Sequence, residues 1–250
     1  MTNPSRPLPI VEFVRAAREA VRGPQRKPTL ILLSSTVLML VWWYFGSPQF
    51  LARWFATARD DGRAAGAIGS FLAGFVLLGV IPAALVRFVF GERLADYGVG
   101  CGSPGRTWRN VATLAPLFLL VAFGGSTDPA LLAKFPINPR AGESAAMFAV
   151  HAATYLLYYI GWEFHFRGFL LCGLRPSIGD TGAILVGTMA SALLHLGSPA
   201  AETFGAVSAG VLWGAIALWT RSLVPGLAQH FLLGIALDAF ICFPFARRGS

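Results

Sequence analysis

Residues 143–174 read ESAAMFAVHAATYLLYYIGWEFHFRGFLLCGL. The stretch exceeds the ~20 residues a helix needs to cross the hydrocarbon of a bilayer. Its apolar residues recur on every side, as in a helix surrounded by apolar neighbours. In lipid the backbone must satisfy its own hydrogen bonds, so such a run is helical. Working outward, comparable apolar runs occupy 29–45, 67–90, 111–126, 181–196, 202–220 and 223–245. Together they predict an all-α protein, a polytopic transmembrane helical bundle of about seven membrane helices, within a range of six to eight.

Composition agrees. Of 250 residues, 55% are hydrophobic and 13% charged, against about a quarter charged in soluble domains. The net charge of +8 lies between the apolar runs and has no aromatic interleaving. It therefore fits basic loops and anionic lipid headgroups rather than nucleic acid. Cys101, Cys172 and Cys242 lack the spacing of a zinc knuckle or a disulfide framework. No cleavable signal peptide is expected at the N-terminus.

Three regions follow. Residues 1–27 form a basic, cytosolic N-terminal segment. Within it, 9–21 is expected either as an amphipathic helix on the membrane surface, with Ile10, Phe13 and Val14 opposite Arg15 and Arg18, or as a disordered tail. Residues 28–142 hold the N-terminal transmembrane helices, and 143–246 a core of helices carrying the chemistry. Loop arginines favour a cytosolic N-terminus. An odd helix count then puts Arg247 and Arg248 outside, a mild conflict with that rule. The expected setting is an integral membrane protein, in a bacterial plasma membrane, with lipids and a peptide substrate as partners.

Charged groups in hydrocarbon are costly and mark function by default. Glu163 and Arg167 are four apart and share a helix face, which allows a purely structural ion pair. His165 points away from them. His151 is twelve residues upstream and reads as a packed or interfacial histidine. With a turn near Ile178, Glu163 and His195 reach similar depth on antiparallel helices. His230 joins them if the 174–182 hairpin protrudes. A carboxylate with two imidazoles in a partly dry cavity can activate water and stabilise an oxyanion. Alternatively Glu163, His195 and His230 could hold one zinc ion, although no HExxH is present.

These residues resemble the CPBP family of intramembrane endopeptidases, the CAAX-protease and bacteriocin-processing group also called Abi. Its EExxxR motif, followed by Gly-Phe, is matched by Trp162-Glu163-Phe164-His165-Phe166-Arg167-Gly168-Phe169. Its FxxxH is matched by Ser191 through His195, and its HxxxN by His230 through Gly234. The resemblance implies that Glu163 and His195 activate water, that His230 stabilises the oxyanion, and that Arg167 orients Glu163. It implies an endopeptidase acting on a membrane-proximal, prenylated or leader-type peptide.

Three positions depart from the pattern. Trp162 stands at the first Glu, Ser191 at the Phe, and Gly234 at the Asn. Glu202 is either a first-turn acid favoured by the helix dipole or a replacement for the missing Glu. Asp238 is either a substitute for the Asn or an interfacial helix-end residue. The departures also motivate an inactive scaffold or immunity protein of the same fold. A proton-coupled carrier would explain buried ionisable groups too, but no paired broken helices support it.

Overall fold

The computed structural model describes residues 9–57 and 61–244. It is helical in the manner the apolar runs dictate. We label its helices α1 (Pro9–Arg22), α2 (Arg26–Phe45), α3 (Pro48–Phe55), α4 (Arg63–Val89), α5 (Pro104–Gly125), α6 (Pro129–Leu132), α7 (Ala145–Glu163, continued by a π-helical segment Phe164–Cys172), α8 (Gly173–Leu193), α9 (Ala200–Thr220) and α10 (Val224–Cys242). No strand occurs among the described residues.

Among the described residues, six stretches are long and apolar enough to span a membrane. One of them, Ala145–Leu193, runs through α7 and α8 for 49 residues. It is interrupted at Gly179, whose φ of 72° and ψ of 174° leave the helical region. That conformation is open to glycine and strained for other residues. The break lies one residue beyond the turn expected near Ile178. It divides the stretch into two helical parts, 145–178 and 180–193. Arg175 and Asp180 pair across it at 2.6 Å, both half exposed. Arg247 and Arg248 lie outside the described residues.

The segment expected at 9–21 is helical as α1, with Ile10, Phe13 and Val14 exposed. Helix α3, which the polar character of its surroundings hid, is capped by Ser47 accepting from the Phe50 amide. Helix α5 starts at Pro104, seven residues before the expected 111. The added turns carry Arg106 and Arg109, whose long side chains can keep their charges at the headgroups.

The core forms where α2, α4, the π segment and α8 meet. Ile31, Leu78, Phe166, Phe169, Leu170 and Leu174 are fully buried there. Small residues let α4 and α7 touch backbone to backbone: a Cβ on Gly161 would lie 2.9 Å from both Gly74 O and Phe75 Cα. Close approach through small residues is how helices associate where lipid removes the hydrophobic drive. The crossing immediately precedes Trp162 and Glu163 and fixes their depth.

Outside the spans, the 90–98 connection is tied down by Glu92. Lys27 donates to its carboxylate at 2.7 and 2.8 Å, and Tyr97 Oη at 2.5 Å. Partial burial opposes ionisation of Glu92. The hydrogen bonds from Lys27 and Tyr97 outweigh it and hold the carboxyl below its usual range.

Candidate active site

Helices α7 and α10 run antiparallel and meet along a seam of paired contacts. At one rung His230 Nδ1 donates to Glu163 Oε1 at 2.7 Å. Four residues along each helix, Tyr159 lies against Gly234. Further along, His151 and Asp238 pair at 2.8 Å, both with no exposed side chain.

Glu163 is 1% exposed. Its Oε1 also accepts from Arg167 Nη1 at 3.2 Å, one turn on. Arg167 begins to lie within the π-helical segment, where the ladder shifts to i→i+5, a distortion frequent at functional sites. Its guanidinium sits 5.4 Å from the Trp213 ring. One carboxylate thus neutralises a guanidinium and anchors an imidazole, an arrangement that makes burial of all three tolerable in hydrocarbon.

The His230 ring is held between Tyr159 and Trp213, with centroids 4.4 Å away on each side. Trp213 in turn donates from Nε1 to Gln229 at 3.0 Å. An ionised carboxylate only accepts, so Nδ1 carries the proton and Nε2 is left for the cavity.

His195 lies in the turn between α8 and α9. Its Nδ1 donates to the Ser191 carbonyl at 2.7 Å, which again leaves Nε2 free. Thr203 Oγ1 donates to the His195 carbonyl at 2.9 Å and ties the turn to α9. Ser191, where the motif has Phe, is buried and contributes that carbonyl.

His195 Nε2 is 3.9 Å from Glu202 Oε1. Glu202 is bound through both oxygens by Lys134 Nζ, at 2.8 and 2.7 Å. Lys134 also donates to Ser198 Oγ at 2.8 Å. The Glu202 carboxylate is therefore a fixed group beside an imidazole as well as a first-turn acid.

Both imidazoles line one cavity of about 1100 Å³. Arg167, Trp162, Tyr159 and Glu202 also line it; Glu163 does not. The Glu163 carboxylate is linked to the cavity through His230 and Arg167, both of which line it. Trp162, at the motif's first Glu, presents an indole edge-on to His195 at 5.4 Å. The chain has put a ring where the motif would put an acid.

Asp238 does not stand in for the missing Asn. Its partner is His151, and it is fully buried rather than interfacial. His151 is correspondingly a paired core histidine. His165 lies on the far side of its helix, packed on Phe166 and Phe169. Glu163 Oε1 lies at the Nδ1 side of His230 and accepts from Arg167 and that ring, while its Oε2 is buried with no hydrogen-bond partner among the described residues. Among the described residues no three His, Cys, Asp or Glu side chains cluster as a metal site.

Sequence reasoning missed Tyr159, Trp213 and Lys134 as site residues. Tyr159 was findable, being four residues before Glu163 on the same face. Lys134 was not, since 68 residues separate it from Glu202.

A family model described as Type II CAAX prenyl endopeptidase Rce1-like matches residues 144–236. No curated protein and no solved structure gives a significant match. The matched segment runs from the cap of α7 into α10 and includes Glu163, Arg167, His195, Glu202, His230 and Gly234. Over residues 144–236 this integral membrane protein is similar to the Rce1-like type II CAAX prenyl endopeptidases.

Proposed function

We propose that the chain is an intramembrane endopeptidase that hydrolyses a peptide bond with water activated at His195. The observation that carries this reading is the pair of imidazoles lining one cavity, each with Nδ1 occupied and Nε2 left free. His195 Nε2 takes a proton from water, with Glu202 stabilising the imidazolium that forms. The hydroxide adds to the carbonyl carbon, and the C=O electrons move to oxygen. His230, acting as an imidazolium that donates from Nδ1 to the ionised Glu163 carboxylate throughout, also donates from its Nε2–H to that oxyanion and keeps both protons. When the intermediate collapses the C–N bond breaks, and His195 returns its proton to the leaving nitrogen. Arg167 holds Glu163. No metal is required for any step.

The cavity is largely apolar and large enough for a peptide segment several residues long. A membrane-proximal peptide of prenylated CAAX or leader type suits it. The proposed location is a bacterial plasma membrane with the N-terminus cytosolic.

Trp162 at the motif's first acid favours a second reading, a scaffold or immunity protein without chemistry. One experiment separates the two. Wild type and His195→Ala are compared for cleavage of quenched-fluorescence peptides, one a prenylated CAAX peptide and one an unprenylated leader-type peptide. Membrane insertion is measured alongside. The endopeptidase reading expects a loss of about 10²–10⁴-fold in kcat, the range for a general base. Equal rates in an inserted variant sink it.

A further inference from the structure

Gly234 follows His230 by four residues, so the two share a face of α10. Tyr159 precedes Glu163 by four on α7. Because Glu163 and His230 are bonded at 2.7 Å, the antiparallel seam brings Tyr159 opposite Gly234. Contact there is close: a Cβ built on Gly234 would collide with Tyr159 Oη and come within 3.0 Å of Cζ. The absent side chain at 234 is the space that the tyrosine hydroxyl fills. Tyr159, Gly234 and His230 all line the cavity. The tyrosine ring is also held in place, 4.4 Å from the His230 ring and 4.5 Å from that of Tyr155.

We infer that Tyr159 is a catalytic residue: its hydroxyl, in the space vacated at Gly234, is a second hydrogen-bond donor to the oxyanion. The inference rests on the hydrolase reading above. A phenol carries one O–H donor, and because Tyr159 lines the cavity beside Gly234 that donor can be turned toward a bound carbonyl. During hydrolysis the carbonyl oxygen gains the electron pair of the C=O bond as hydroxide adds. The Tyr159 O–H and the His230 Nε2–H then converge on that oxygen from neighbouring rungs of one seam. Nothing is transferred from the tyrosine; its proton stays on Oη while the hydrogen bond shortens. Donors set in advance around a developing anion stabilise the transition state more than the substrate.

Tyr159→Phe keeps the ring against His230 and removes only the hydroxyl. On the two peptides named above, its kcat is expected to fall about 10²-fold, the scale for one oxyanion donor, with KM within about twofold. Affinity for a phosphonate peptide, which mimics the tetrahedral anion, is expected to fall by a similar factor. A kcat equal to wild type, with wild type cleaving, overturns the role of Tyr159 and leaves the hydrolase reading standing. A wild-type chain that cleaves neither peptide removes both.

Epistasis gives a second route. Gly234→Asn alone is expected to inactivate, because the new side chain meets Tyr159. In a Tyr159→Ala background the same substitution has room, places an amide donor in the vacated space, and is expected to restore kcat at least about tenfold, a sign reversal that only neighbours sharing one function show. A folded and inserted double variant no faster than Tyr159→Ala overturns the shared-position argument.

Discussion

Two histidine–carboxylate pairs stand on the same two helices. Glu163–His230 and His151–Asp238 have nearly equal lengths, 2.7 and 2.8 Å, and lie eight residues apart along α10. They differ in what lies behind the ring. The His230 side chain is 15% exposed and lines the cavity. The other pair is sealed, both side chains being fully buried. The carboxylates differ as well. Glu163 carries a third group, Arg167, whereas Asp238 has only its histidine among these partners. A polar pair in a membrane bundle is therefore not in itself a site. On the proposed reading the same bond serves chemistry at one end of the seam and packing at the other, and access to a cavity decides which.

The comparison breaks most readily at Glu163. In Glu163→Gln the amide can still contact His230, but it no longer stabilises an imidazolium or balances Arg167. Cleavage is expected to fall about 10³–10⁴-fold, the scale seen when the carboxylate behind a catalytic histidine is made neutral. The check is a rate measurement on detergent-purified protein, with insertion and melting temperature measured in parallel. Retained cleavage would make the open end of the seam no more functional than the sealed end.

Glu202 sharpens the contrast from the cavity side. It is 3.9 Å from His195 Nε2, beyond direct hydrogen-bond reach but close enough for one water to touch both. Glu202→Gln keeps the first-turn position and the shape while losing the charge that stabilises protonated His195. The expected loss is about 10–10²-fold in kcat with KM little changed, within the lower range for acid–base assistance. An unchanged kcat would reduce Glu202 to a dipole-favoured acid held by Lys134, and leave His195 to act alone.

Much of the fold was legible because lipid imposes a simple rule on sequence: long apolar runs become helices. The break at Gly179 was legible to within one residue, since Arg175 and Asp180 bracket a glycine between two apolar runs. The π-helical segment Phe164–Cys172 was not, because its residues differ in no compositional way from an α-helix. At the site, spacing revealed the Glu163–Arg167 pair and motif order revealed His195 and His230. Which atoms meet was hidden. The sequence reading had Glu163 acting on water; in the structure its carboxylate bonds His230 and Arg167 and does not line the cavity, and how α10 sits against α7 depends on close packing at Gly234. Asp238 and His151 were each read alone. Their separation of 87 residues gives no local sign that they pair.

The smallest expected effect on chemistry comes from the sealed pair. Asp238→Ala removes the partner of a buried imidazole, and the group left behind loses its hydrogen bond in a region water does not reach. Such a loss costs about 1–3 kcal/mol of stability. The variant is expected to melt several degrees lower while keeping kcat and KM on the peptide probes within about twofold. Proximity makes this a demanding test, because Tyr155 and Tyr159 lie between Asp238 and His230 along the same seam. If only packing connects the two ends, softening one should loosen the bundle without altering the protonation or position of the other. A drop in kcat with an unchanged melting temperature would show instead that the tyrosines carry polarisation along the seam, and the two pairs would then have to be treated as one network.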